Sequence, residues 1–109
     1  METWDVTDLA VEAGKPEILA SDGEGRVIAI ELPAGDRLGE HQVHERAWVV
    51  VVSGAVEIGV PGGETVSGGP GLLAAFAPHE RHEVAATEDA RLLLVLAPWP
   101  GVGHPSEPS

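Results

Sequence analysis

Four of the five histidines fall in two pentapeptides of one pattern, His-x-x-His-Glu: "HQVHE" at residues 41–45 and "HERHE" at residues 79–83. Imidazole and carboxylate are the groups with which a chain that has no cysteine can hold a divalent metal. There is none here, so thiolate sites and disulfide staples are excluded, and nitrogen and oxygen donors remain. Glu40, Glu45, Glu80 and Glu83 stand beside the histidines in sequence. Carboxylates within roughly 4–6 Å of an imidazole favour its charged form and equally favour a bound dication. They can also accept a ring N–H and fix the tautomer of a ligating histidine. Whether the two copies meet depends on the elements that carry them.

A chain of 109 residues has the length of one domain and can bury a core of its own. Six basic residues against 18 acidic ones give a formal charge of −12. That balance repels nucleic-acid phosphates and anionic membranes, so neither partner is expected, and it attracts cations. The start, "METWDVTDLAVEAGKPE", is acidic and polar rather than a basic start followed by an apolar run. No apolar stretch approaches the length needed to span a bilayer. A soluble protein of the cytoplasm is the expectation.

Fourteen glycines and nine prolines cut the chain into apolar runs of strand length: residues 26–32, 47–52, 55–60, 71–77 and 91–97. Valine and isoleucine dominate several of them and suit a pleated surface. In "AVEIGV" Val56, Ile58 and Val60 alternate with Glu57 and Gly59. Ser53-Gly54, "VPGGE" and "SGGPG" read as turns. Residues 5–13 suit a helical turn or an edge strand equally. The spacing predicts an all-β antiparallel sandwich or barrel, with residues 1–24 as an N-terminal arm, 25–97 as the barrel and 98–109 as a proline-rich tail that packs only through Trp99.

These residues resemble the cupins, a family of double-stranded β-helix, jelly-roll barrels. The family's first motif, G-x5-H-x-H-x3,4-E-x6-G, is similar to "GDRLGEHQVHERAWVVVVSG", with Gly35, His41 and Gly54 in register. Its second, G-x5-P-x-G-x2-H-x3-N, is similar to "GLLAAFAPHERHEVAA", with Gly71 and His82 in register and Pro78 one place late. The departures are Val43 at the second histidine, Ala47 at the glutamate, His79 at a glycine and Ala86 at the asparagine. The resemblance implies His41 and His82 as two of four metal-ligand positions. It does not choose a reaction, because one fold hosts many chemistries.

Alternation along a strand supplies the rest of the set in two ways. On a plain strand His41, Val43, Glu45 and Ala47 share a face, which gives two imidazoles and one carboxylate, an arrangement suited to iron(II). A bulge between residues 41 and 44 turns His44 inward instead. The metal set is then His41, His44 and His82, suited to zinc, nickel, copper or iron; manganese is a further candidate. His79 is expected at the rim, His104 in solvent, and Phe76 in the core. Trp48 is expected to pack with Val50 and Val52, and Arg46 to pair with a surface glutamate. The functional expectation is a divalent metal and a small-molecule ligand in the barrel pocket of a homodimer. The alternative is a metal-free binding or assembly module.

Overall fold

The computed structural model describes residues 1–41 and 43–105, with the side chains of residues 39–41 outside the described set. Among the described residues there are nine strands: β1 Glu17–Ser21, β2 Arg26–Leu32, β3 Arg37–His41, β4 Arg46–Ser53, β5 Val56–Gly59, β6 Thr65–Gly68, β7 Leu73–Phe76, β8 His82–Ala86 and β9 Ala90–Ala97. They form a five-stranded sheet in the order β1-β2-β9-β4-β7 and a four-stranded sheet in the order β3-β8-β5-β6. Neighbouring strands run antiparallel. This is the all-β, jelly-roll architecture expected above. Among the described residues no helix is long and apolar enough to cross a membrane.

The core lies between the two sheets. In β4, Ala47, Val49 and Val51 are buried while Arg46 is exposed and Trp48, Val50 and Val52 are half-buried, the period-two pattern of a strand with one face inward. Trp48 does share a face with Val50 and Val52, but the core lies under the opposite one. Val56 and Ile58 of β5 and Val84 and Ala86 of β8 join the core from the other sheet, while Ile30, Leu92 and Phe76 join it from the sheet of β4. Val60, expected on the same face as Ile58, lies past the end of β5 and is exposed. Gly54 turns the chain from β4 to β5 at a φ of 79°. A Cβ there would collide with the carbonyl of Asp89, so both the turn and the close approach require glycine.

Three sequence expectations change here. His41 and Ala47 do not share one strand: β3 ends at His41 in the four-stranded sheet, and β4 begins at Arg46 in the other. His44 and Glu45 belong to the bend that carries the chain between sheets. The register shift in β3 falls upstream, between Leu38 and His41, rather than between 41 and 44. Residues 5–13 form neither helix nor strand but a turn, in which Asp5 accepts hydrogen bonds from the Thr7 hydroxyl and amide. Those bonds hold the Asp5 carboxyl below the ordinary carboxylate range. The arm is fastened by Arg91, buried in β9, which donates to the carbonyls of Val6 and Leu9 and pairs with Glu31 at 3.2 Å.

Candidate functional site

The end of β3, the start of β4, the end of β7, the start of β8 and the end of β9 lie at one end of the barrel, as their registers require. Both histidine pentapeptides therefore arrive at the same place, running antiparallel. His41 is the Cα partner of His82 across β3 and β8. The second histidine of the first copy meets the first of the second copy: the His44 and His79 rings stand 4.9 Å apart, edge to face. The two copies do meet, as an inner pair and an outer pair.

His82 is 1% exposed. Its ring stacks on Phe76 with centroids 4.1 Å apart and planes 13° from parallel. Its Nδ1 lies 3.2 Å from the carbonyl oxygen of Glu80. A carbonyl can only accept, so Nδ1 carries a proton toward it, and in the neutral form of the ring Nε2 is the nitrogen that can ligate. This is the tautomer a metal ligand needs. The cavity against His82, walled by Ile30, Leu38, Val49, Val84 and Leu92, measures about 10 Å³. It matches one water-sized or ion-sized body. A larger groove of about 320 Å³ lies between the sheet edges β6 and β7, over Ile58, Val66, Leu73 and Phe76, with Glu64 and Glu80 also lining it.

Glu45 is 1% exposed, as deep as His82. Its Oε2 accepts the backbone N–H of Gly101 at 2.6 Å, a charge-assisted bond. Its Oε1 is buried without a partner among the described residues, as is Nδ1 of His44. Gly101 itself is buried, and a Cβ on it would stand 2.5 Å from the His44 carbonyl oxygen. The tail is thus a strap across this end, whose Ala97–Pro98 and Trp99–Pro100 peptide bonds are cis. Trp99 lies under the Arg26 guanidinium at 3.9 Å. His104, expected in solvent, is half-buried and meets His44 at 5.5 Å and Trp99 at 4.6 Å between ring centroids.

The sequence-predicted residues are therefore divided. His82 is inside; His44 stands with His79 and His104; the His41 and Glu40 side chains lie outside the described residues. Among the described residues no three histidine or carboxylate side chains already converge on one cation position. Sequence reasoning missed the roles of Gly101 and His104, since no local pattern reports a contact across 56 residues. The one available signal was the glycine-bounded "GVGH", which lets backbone come close.

Residues 18–97 match the family model of the cupin domain. Among solved structures, an RmlC-like cupin protein from Desulfovibrio desulfuricans is similar with a TM-score of 0.81 at 20% identity, covering 90% of this chain and 97% of that one. A conserved protein with a double-stranded β-helix domain from Klebsiella pneumoniae gives 0.77 at 19%, covering 90% of each chain. KdgF from Halomonas sp. gives 0.71 at 25%, covering 83% of this chain and 85% of that one. No curated protein matches the sequence. The first two likenesses speak for the fold alone.

Proposed function

Given that this chain belongs to the cupin family, we propose that it is a cytoplasmic cupin that binds a divalent metal through His41 and His82, and a small molecule nearby. The observation that carries this reading is the pairing of His41 with a fully buried His82 whose Nδ1 is fixed on a backbone carbonyl. An ordered tautomer in an ion-sized space fits a cation in kind. The further donor is His44 or Glu45, each of which has a buried atom without a partner among the described residues. A bound dication would supply Lewis acidity or an open coordination position. The groove over Phe76 has the volume of a small-molecule pocket, for which roughly 300 Å³ is the lower bound. Phe76 is in ring contact with His82, so an occupant of the groove would sit one aromatic ring away from the imidazole.

A metal-free binding module is the second reading, favoured by the apolar walls around His82 and by Val43 and Ala47 at two ligand positions of the motif. Elemental analysis of protein purified without a histidine tag separates the two. Near-stoichiometric metal that is lost in His82→Gln supports the first; a metal content unaffected by that change supports the second.

A further inference from the structure

The groove between β6 and β7 is flanked by the last strand of each sheet. It reaches the core at Ile58 and Phe76, which are 4% and 6% exposed. Val60, Val66 and Leu73 line it from the surface. Seven large apolar side chains are exposed among the described residues, and these are three of them. Apolar surface gathered in this way, rather than scattered singly, marks a place where something binds.

The charges of the groove say what kind of molecule that is. Glu64 and Glu80 line it, and no arginine, lysine or histidine does so among the described residues. Glu80 is half-buried, and its Oε1 accepts the backbone N–H of Ala77 at 2.9 Å, which holds the carboxylate in place. Glu64 is set by the turn between β5 and β6, where its carbonyl accepts the Val60 amide at 3.2 Å. Two carboxylates on one apolar groove repel each other and any anion, and a cation between them relieves both.

We infer that the groove takes a small organic amine, with an apolar body of one ring or a short chain and one protonated nitrogen. This inference rests on the groove being the small-molecule site proposed above, and it narrows the ligand to one class. An alkyl amine, like the lysine side chain, is protonated at neutral pH. Its ammonium group offers up to three N–H donors to the carboxylate oxygens, and bonds between ionised partners are the stronger kind. Its hydrocarbon part covers Val66 and Leu73 and takes their surface out of water. A carboxylic acid or phosphate of the same size meets the same two charges and is turned away. The formal charge of −12 adds to that preference at longer range.

The test is an NMR titration of the intact chain at neutral pH with three probes of one shape: benzylamine, benzyl alcohol and benzoate. The methyl groups of Ile58, Val66 and Leu73 are the reporters. Benzylamine should shift them saturably and bind at least about tenfold more tightly than benzyl alcohol, roughly 1.4 kcal/mol. Benzoate should bind more weakly than either. In Glu64→Gln/Glu80→Gln the amine should fall to the affinity of the alcohol, whose own binding stays the same. Glutamine keeps an oxygen for the Ala77 N–H, and the comparison of probes on the wild type needs no variant. Benzyl alcohol or benzoate binding as tightly as the amine overturns the amine class but leaves the groove a small-molecule site. Reporters unmoved by all three probes overturn the groove as a ligand site, and the amine with it.

Discussion

Gly101 donates its backbone N–H to a carboxylate oxygen of Glu45 at 2.6 Å, and both residues are buried. The bond joins the strap after β9 to the bend before β4. It makes the last described residues part of the barrel end rather than an appendage.

Removing residues 101–109 therefore costs stability instead of leaving it unchanged. The deletion strips the Glu45 carboxylate of its donor inside the protein, which costs about 1–3 kcal/mol. For a domain of this size that lowers the melting temperature by several degrees, at roughly 4–8 °C per kcal/mol. Gly101→Ala should act in the same direction, because its Cβ meets the His44 carbonyl at 2.5 Å. Thermal melts of both variants within a degree of wild type would show that the strap is not anchored by this contact.

Much of the barrel was legible in the sequence because long strands carry their own pattern. The run 26–32 coincides with β2, and 47–52 and 91–97 lie within β4 and β9. The strands β1, β3, β6 and β8 are short, and "RLGEH", "TVSG" and "HEVAA" carry too much charge or glycine for alternation to show. The inner pair was legible through His41 and His82, whose motif positions are set by the two strands. His44, Glu45 and His104 were not, because their places depend on where the chain leaves one sheet for the other and on a strap that closes from the far end of the chain.

Phe76 supports His82 directly. Phe76→Ala removes a ring buried to 6% exposure and stacked on the imidazole. A loss of about 3–5 kcal/mol follows from truncating a core aromatic. Phe76→Leu keeps most of the volume and should cost less than half as much. Urea denaturation of the three proteins reads the difference directly; equal midpoints for the alanine and leucine variants would contradict the packing role.

Arg91 is the clamp of the N-terminal arm. Arg91→Met keeps the apolar stem but removes the bonds to Val6, Leu9 and Glu31. Residues 1–16 should then be cut much faster by a glutamate-specific protease, at Glu2 and Glu12, while the barrel spectrum in the far ultraviolet is retained. Unchanged cleavage kinetics would place the anchor of the arm elsewhere.

We propose that two copies pair through the edge at β1, where Ile18 is half exposed on the outermost strand of its sheet. Light scattering at tens of micromolar, about the range where weak pairs dissociate, should give twice the chain mass. Ile18→Lys should shift that mass toward one chain. A wild-type protein that scatters as a single chain rules out pairing through this edge.

The central claim is that the two histidine motifs meet to hold a metal through His41 and His82. It is tested most directly by calorimetric titration of zinc, nickel, manganese and iron(II) into a His79→Ala/His104→Ala protein, in which the outer rings no longer contribute. That protein should bind at least one of these ions more tightly than about 0.1 mM, roughly −5.5 kcal/mol. The affinity should fall as pH drops below the ordinary histidine value of about 6.5, because protonated imidazole cannot ligate. Adding His41→Ala or His82→Gln should each weaken binding at least about tenfold, 1.4 kcal/mol. Binding that survives both changes, or the absence of binding to any of the four ions, contradicts the claim and leaves the metal-free module in its place.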